Sequence, residues 1–562
     1  MDRRGPATEP ALRWAAPALP SSAMLMRLQR WFRDPLFLLC LATCLGTLVI
    51  QSGELGSADT MHRLQTAHSF WTSEPPVFPQ EYPEFGLYGR DGKLYDWYGM
   101  GQSLLLLPFD IVGTGLERLP LFANYSGNDP AVRSIFVSLC VSTFVNLLTA
   151  LVGFRFLRLL AFTTPQSVAG ILALLFSTTH LHYAQNMMEN NYIMLLTLIG
   201  FTFQYEWLRN GNRRLLLIGS AAFGLNLLTR LTTGLDLLAG AAFLLLALWF
   251  EGVHGRAKWM RFITYVKTAA PVYSIFLLID RVYQYHRFGS FFTTYVKTFA
   301  EKYKHLDPTL PANYPWETPF HVGFLGPLIT PEKSIFLFDP LVLLTILLTV
   351  VGWRRFRPEI RAYLIAVFLM LLAYICLYAR YTVWSGDFAW GDRYVSTAAQ
   401  FVAFVSVPLL LRYRSQLGTL VWTSGLALII IGTIVQIASL AFWLPLEIYQ
   451  METLGHPTWV IVLRLKNIAA FALGKMDAWG LHNHAMTEDP WDYVHITCWN
   501  FLPFLLRRAG QAPGWVVDAV VGMWTLTVVF FLGILLRLRA VLRLSAAGQS
   551  SSIEPALHKK PL

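Results

Sequence analysis

The sequence predicts an all-α integral membrane protein in which about twelve helices cross the bilayer. One indication is composition, because 55% of the 562 residues are apolar and only 14% are charged, whereas soluble domains carry about 25% charged residues. Another is that the apolar residues form long runs separated by basic clusters. These observations exclude a soluble enzyme and an ordinary nucleic-acid binder. The formal net charge of +11 is explained by the excess of Lys and Arg in cytoplasmic loops.

The predicted spans follow from length, since a helix needs about 20 largely apolar residues to cross the bilayer core. In chain order they lie near 35–51, 134–154, 166–187, 191–208, 215–232, 233–250, 262–280, 334–352, 362–381, 394–411, 419–445 and 515–536. A further run at 103–117 is shorter and contains Pro108 and Asp110. We interpret it as a re-entrant or interfacial segment.

Basic residues beside the spans predict the orientation. Arg27, Arg30 and Arg33 precede the first span, which places the N-terminal end in the cytoplasm. Basic clusters recur at every second junction, as this register requires. The predicted parts are a cytoplasmic segment 1–34, a transmembrane catalytic module 35–445 with extracytoplasmic loops 52–133, 281–333 and 382–393, an extracytoplasmic loop region 446–514, a last span 515–536 and a cytoplasmic tail 537–562.

The first extracytoplasmic loop contains two acids, Glu54 and Asp59, just beyond the first span. A partly desolvated carboxylate near Arg63 is suited to act as a general base. The other interpretation is that Ser57 or Asp59 only caps a helix over residues 60–71. Spacing alone does not decide between the two.

The same loop continues with a cluster of aromatic residues, Tyr95, Trp97 and Tyr98, which follow an Asp91-Gly92 turn. Tyr and Trp are amphipathic and are enriched at membrane interfaces. The cluster is therefore either an interfacial anchor or a wall on which the flat face of a sugar or a lipid headgroup packs.

Polar residues at the ends of later spans offer further binding groups. His180, His182 and Glu189 could hold a divalent metal, although they provide few ligands. The other interpretation is that these residues, with Asn190 directly after Glu189, only form the turn between two spans. Arg230 lies near the outer end of a span, where an ionisable group is normally paired or functional. It either pairs with Asp236 or holds an anionic headgroup.

The short loop 382–393 is dense in charge and aromatic rings, including Trp384, Trp390, Asp392 and Arg393. Arg suits bidentate phosphate recognition, so we favour a binding role over a surface Asp392–Arg393 pair beside an aromatic belt. In 281–333, tyrosines alternate with lysines in an interfacial amphipathic pattern. That stretch forms either a lid over a lipid-bound substrate or a headgroup anchor.

Three short motifs together resemble bacterial members of the glycosyltransferase C superfamily. They are the acid of the first loop, the Asp91-Gly92-Lys93-x-Tyr95 stretch that continues to Pro108, and the Trp384-x-Gly386…Trp390-Gly391-x-Arg393-Tyr394 loop. The chain is most similar to protein O-mannosyltransferases and lipid A aminoarabinose transferases over residues 35 to about 412. Many of these relatives have adjacent Asp and Glu in the first loop, whereas Asp59 is followed by Thr60.

The resemblance implies a transferase of the bacterial inner membrane that takes a sugar from a polyprenyl-phosphate donor at the extracytoplasmic face. Asp59 would be the base for inverting attack, Arg393, Arg230 and Arg63 would bind the donor phosphate, and the acceptor is a protein, lipid or glycan. No cofactor is expected. A transporter or flippase of lipid-linked glycans, or a polymerase of them, is the alternative; transporters usually show internal repeats and charges at the bilayer midplane.

Overall fold

The computed structural model describes residues 31–79, 85–125, 130–252, 255–387, 389–452, 454–475 and 498–551. In these ranges the chain is nearly all helical, and the strands are two short ones, β1 (Leu87–Tyr88) and β2 (Leu94–Tyr95), which pair antiparallel. The predicted all-α class is confirmed. Residues 1–30, most of the predicted N-terminal segment, and 476–497, within the predicted loop region 446–514, lie outside the described part of the chain.

The described residues contain the following helices, in chain order. They are α1 (Pro35–Ile50), α2 (Ala58–Ser69), α3 (Gly101–Glu117), α4 (Val132–Leu159), α5 (Thr164–Ser177), α6 (His180–Asn186), α7 (Glu189–Asn210), α8 (Arg213–Thr229), α9 (Gly234–Phe250), α10 (Arg256–Phe288), α11 (Tyr295–Leu306), α12 (Phe320–Ile329), α13 (Ile335–Phe338), α14 (Leu341–Gly352), α15 (Pro358–Tyr378), α16 (Arg393–Ala403), α17 (Ser406–Arg412), α18 (Thr419–Ser439), α19 (Pro445–Glu452), α20 (Val460–Ala472), α21 (Leu502–Ala509) and α22 (Gly514–Ser551). Short 3₁₀ turns occur at Pro120–Tyr125, Leu231–Thr233, Trp353–Arg355 and Arg414–Gln416.

Among the described residues, seven helical segments are long and apolar enough to cross a membrane. They are Val132–Leu159, Leu231–Phe250, Lys258–Phe288, Pro358–Tyr378, Arg393–Arg412, Thr419–Ser439 and Gly514–Leu544. The chain is therefore an integral membrane protein. Other predicted spans correspond to helices that are shorter or less apolar, such as α1, or to helices that are broken.

Two predicted spans are interrupted, and the two interruptions contact each other. The run 166–187 divides into α5 and α6, and the run 334–352 divides into α13 and α14 at Asp339-Pro340. Asp339 accepts hydrogen bonds from the Thr179 backbone N–H at 2.7 Å and from its hydroxyl at 2.9 Å. The Asp339 side chain thus satisfies a backbone N–H that the break in the first run leaves free, which a buried backbone requires. Run length alone could not reveal this pairing.

The bundle is layered around the segment Arg393–Arg412, which forms its centre. In its most apolar stretch 94% of residues are buried, against 11% for the segment in α10 and 6% for the segment in α22. The peripheral helices therefore present apolar faces outward, as lipid-facing helices do, while Arg393 lies at the N-terminal end of the central helix.

Segment 52–133 folds onto the bundle through a buried charge cluster at Asp110. Asp110 accepts a hydrogen bond from the Arg133 Nε at 2.6 Å, and its other oxygen lies 2.8 Å from the His68 Nδ1 and the Trp71 Nε1. The run 103–117 is a continuous helix, α3, despite Pro108. The cluster ties α3 to α2, so the helix that carries Asp59 has a fixed position.

Candidate functional site

A cavity of about 360 Å³ lies where α2, α7 and α16 begin and α8 ends, and residues 97–99 form part of its wall. Its charged lining residues include two acids and three arginines that the sequence analysis had selected from distant parts of the chain. The lining residues that matter below are Asp59, Arg63, Trp97, Tyr98, Glu189, Arg230, Asp280, Arg281, Tyr295, Tyr378, Tyr381, Arg393 and Tyr394.

Asp59 is positioned by the first turn of α2. Ser57 is the N-cap of this helix, and its hydroxyl accepts the Thr60 backbone N–H. The capping role that the sequence left open therefore belongs to Ser57, which leaves the Asp59 carboxylate free to face the cavity. One oxygen accepts the Tyr98 hydroxyl at 2.6 Å and the other accepts the Arg393 guanidinium at 2.8 Å.

Glu189 joins the other two arginines of the cavity. It lies at the first residue of α7 and is nearly fully buried. One of its oxygens lies 2.8 Å from the Arg63 Nη1, and the other accepts a hydrogen bond from Arg230. Because Glu189 takes this role, Asp236 is not the partner of Arg230; Asp236 accepts the hydroxyls of Thr197 and Tyr374 instead, both at 2.8 Å.

The surroundings of Asp59 keep it ionised. Burial by itself would raise the pKa of this carboxyl, but the Arg393 and Arg63 guanidinium groups outweigh burial and hold the pKa below its ordinary value of 3.8. Burial and the neighbouring Asp59 charge raise the pKa of the Tyr98 phenol well above its usual value. Tyr98 is therefore a hydrogen-bond donor at neutral pH, not a base.

Arg393 is held by the loop that precedes it. The buried Lys333 amine donates to the carbonyls of Asp387 at 2.6 Å and Ala389 at 2.9 Å, which fixes the course of the loop. Gly386 has a φ of +78°, and a Cβ there would lie 2.6 Å from the Arg393 Cγ, so only glycine lets the arginine lie across it. Lys333 was not among the predicted residues.

Asp392 and Asn190 position Arg393 from the backbone side. Asp392 caps α16, since its carboxylate accepts the Tyr394 backbone N–H at 3.0 Å. Burial raises the pKa of Asp392 and lowers that of Lys333. Asn190 donates to the Arg393 carbonyl at 2.7 Å and to the Ser396 hydroxyl at 2.8 Å. Neither residue lines the cavity, so both act through Arg393.

A buried ion pair holds Tyr98 over Asp59. Arg287, which is fully buried, donates to the Asp96 carboxylate at 3.0 Å and to the Tyr98 carbonyl at 3.0 Å. Asp96 also accepts the hydroxyl of Thr66 in α2 at 2.7 Å. Sequence reasoning missed Arg287 because the run 262–280 was expected to end before it, whereas α10 continues to Phe288.

Aromatic rings form the rest of the cavity wall. Trp97 and Tyr98 line it as the sequence suggested, and the Arg63 guanidinium lies 4.0 Å from the centre of the Tyr98 ring. Four further tyrosines from later parts of the chain face the same space. They are Tyr295, Tyr378, Tyr381 and Tyr394. Of the lysine-rich stretch in 281–333, the amphipathic helix α11 contributes Tyr295.

Six predicted site residues lie away from the cavity lining; besides Asp392 and Asn190 they are Glu54, Tyr95, Trp384 and Trp390. Glu54 faces a small crevice beside His182 instead. The Tyr95 hydroxyl donates to Asp91 at 2.9 Å. Trp390 is fully buried in edge contact with Phe338, and Trp384 packs against Gly326. These three aromatic residues pack within the loops around the site and do not line its cavity.

The two histidines considered as metal ligands have separate surroundings. His180 lies 2.9 Å from the Asn146 side chain, and His182 is stacked near Trp390 and lies 3.3 Å from the Asn186 amide. Glu189 is occupied by the two arginines. Among the described residues, no group of three or more His, Cys, Asp and Glu side chains is placed to hold a metal ion.

The charged groups on the cavity wall do not balance. Asp59 pairs with Arg393, Glu189 with Arg63 and Arg230, and Asp280 with Arg281 at 2.9 Å. Among the described lining residues, four guanidinium groups therefore meet three carboxylates. A partly desolvated excess positive charge attracts an anion, and guanidinium groups suit phosphate oxygens.

Comparisons with known proteins found similarity to a solved structure. No protein-family model matches the chain, and no curated protein matches it. The chain is similar in backbone to the crystal structure of ArnT from Cupriavidus metallidurans bound to undecaprenyl phosphate, with a TM-score of 0.40 and 13% identity over 96% of this chain and 82% of that chain. At this similarity, the function has to be argued from the site itself.

Proposed function

We propose that the protein is a membrane glycosyltransferase that moves a sugar from a polyprenyl-phosphate donor to an acceptor hydroxyl. The observation that carries the proposal is the Asp59–Arg393 pair, which brings a carboxylate base and a phosphate-binding cation to 2.8 Å in one cavity. The tyrosines around them offer flat faces and hydroxyl groups for a sugar. The motifs quoted from the sequence independently suggested the same reaction class.

The reaction needs few groups from the protein. Asp59 takes the proton of the acceptor hydroxyl while the acceptor oxygen forms a bond to the anomeric carbon. The bond between that carbon and the phosphate oxygen breaks, and its electron pair leaves with the carrier phosphate. Arg393, with Arg230 and Arg63 on the same wall, stabilises the developing charge. Attack opposite to the departing phosphate inverts the configuration.

Donor binding would change the state of the base. Among the charged groups around Asp59, Arg393 has the strongest attractive influence, and it lowers the pKa of this carboxyl. A phosphate that draws Arg393 away removes part of that influence, so the pKa of Asp59 rises towards the range of a useful base. The acceptor proton is then taken efficiently only when the donor is bound.

This exchange predicts a pH effect. In the protein without donor, the pKa of Asp59 lies below 3.8. Since kcat/KM reports this form, it should stay constant towards acid pH until the pH falls below that value. The acid limb of kcat should lie at a higher pH, since kcat reports the donor-bound form. Steady-state rates between about pH 3.5 and 8 should therefore show an acid limb in kcat while kcat/KM stays nearly constant. An acid limb of kcat at the same pH as that of kcat/KM would argue against the exchange.

Arg393 variants test the phosphate clamp. Arg393→Ala should weaken binding of the donor more than Arg393→Lys, because lysine keeps the charge and loses only the fork geometry. We expect a loss of about 10–100-fold for alanine, in the range of a charged hydrogen bond. Titration of the purified variants with the donor measures this, and equal affinity in both variants and the parent protein would contradict the clamp.

The decisive experiment is turnover. Purified protein in detergent is incubated with a radiolabelled polyprenyl-phosphate sugar, and the free carrier phosphate is measured with and without a mixture of cell-envelope acceptors. Release that depends on the protein supports a transferase. A protein that moves the intact donor across a vesicle membrane without releasing the carrier would be a flippase, which overturns the proposal.

The sidedness of the reaction belongs to the same proposal. The basic junctions put 52–133 and 382–393 outside the cytoplasm, and Asp59 and Arg393 come from these two loops. A polyprenyl-phosphate donor needs no nucleotide, which suits an extracytoplasmic site in the bacterial inner membrane. Cysteine accessibility labelling at exposed positions of the two loops tests this placement, and labelling from the cytoplasmic side would exclude it.

A further inference from the structure

The carboxylates of the cavity are all engaged with arginines. In the described part of the lining, Asp59 is bound to Arg393, and Glu189 is bound by Arg63 and Arg230 together. The third acid, Asp280, accepts Arg281. Every carboxylate of this described wall therefore has an arginine partner. Asp59, which the donor phosphate would release from Arg393, is needed as the base for the acceptor proton and is not available to hold a cationic group of the donor sugar.

The excess positive charge of the cavity equals in magnitude the negative charge of one carrier phosphate. Four guanidinium groups and three carboxylates leave one positive charge among the described lining residues. The phosphodiester of a polyprenyl-phosphate sugar carries one negative charge. A donor with an uncharged sugar thus brings the cavity to neutrality, which matters because uncompensated charge in a partly desolvated site is costly.

A sugar with an ammonium group would disturb this balance. It would add a positive charge to a wall that already presents Arg63, Arg230 and Arg393, and like charges at short range disfavour one another. A sugar carboxylate would leave a negative charge in excess. The surfaces that remain for the sugar are the rings and hydroxyls of tyrosines such as Tyr295 and Tyr381, which suit neutral hydroxyl groups.

From this arrangement we propose that the donor sugar is uncharged and that the cavity discriminates against amino sugars. The inference rests on the proposed function and specifies its substrate class. Discrimination arises from the excess arginine charge, not from the shape of the wall. This discrimination depends most on Arg230. Arg230 and Arg63 share the one carboxylate of Glu189, so one of their two positive charges is not compensated.

The test compares carriers that differ in one group. Purified protein in detergent is titrated with short-chain polyprenyl phosphates that carry glucose, 2-amino-2-deoxyglucose or glucuronic acid. We expect the glucosyl carrier to bind at least tenfold more tightly than the amino carrier, and more tightly than the glucuronosyl carrier. Equal or tighter binding of the amino carrier, or preference for the glucuronosyl carrier, overturns the inference and leaves the proposed function intact.

Two variants separate charge from shape. Arg230→Gln removes the surplus charge and should reduce the discrimination between the glucosyl and amino carriers, whereas Arg230→Lys keeps the charge and should preserve it. Unchanged discrimination in Arg230→Gln would overturn the electrostatic origin. If the parent protein binds none of the three carriers, the proposed function fails as well, which is a result distinct from altered selectivity.

Discussion

Asp59→Asn should abolish sugar transfer while the protein still inserts and folds. The substitution keeps the size of the side chain and removes the carboxylate that accepts the Tyr98 hydroxyl and the Arg393 guanidinium. A positioned base typically contributes about 10²–10⁴-fold to the rate, so carrier release should fall by about that factor. Release of free polyprenyl phosphate measures the effect.

The matched control is Asp518→Asn. Asp518 is exposed and lies 3.9 Å from Arg507, and an exposed pair of this kind contributes little. Both variants should purify in equal amounts and elute alike in size-exclusion chromatography. Turnover at the parental rate by Asp59→Asn, with Asp518→Asn also active, would remove Asp59 from the mechanism.

Glu189→Gln should destabilise the protein more than any change at its surface charges. Glu189 has a side chain that is 2% exposed and is the partner of both Arg63 and Arg230. Its neutralisation leaves two neighbouring guanidinium groups without the carboxylate that they both contact. Breaking a buried pair in this way costs about 3–5 kcal/mol, and the partial exposure of Arg230 favours the lower end. The temperature of thermal unfolding in detergent should fall clearly.

Glu206→Gln provides the comparison for this result. Glu206 accepts two hydrogen bonds from Arg155, at 2.6 and 2.7 Å, but the Arg155 side chain is 49% exposed. Loss of such a pair costs about 1 kcal/mol or less. An unfolding temperature for Glu189→Gln equal to that for Glu206→Gln would show that the two arginines find other partners. In that case Glu189 would not organise the cavity.

The sequence predicted several features correctly because they depend on local properties of the chain. Apolar runs and basic junctions reflect the cost of burying backbone and charge in lipid, so the all-α membrane class could be read directly. Asp59, Arg63, Arg230 and Arg393 stood out for the same reason, since charges at the ends of apolar runs are expensive unless they are used.

Other features depended on contacts that no local pattern records. Lys333 and Arg287 act through backbone carbonyls more than 50 residues away, and neither has a motif. Trp390 belonged to a suggestive motif, yet it is buried in the bundle. Periodicity could not show which face of a loop turns inward.

The chain by itself determined that this protein lies in a membrane and that its polar residues cluster in a few loops, because hydrophobic partition acts on each segment separately. Only the tertiary structure decided which acid meets which arginine. The pairing of Asp59 with Arg393 spans 334 positions and results from the packing of α2, α7 and α16 around one cavity. The surplus of positive charge in that cavity follows from this packing.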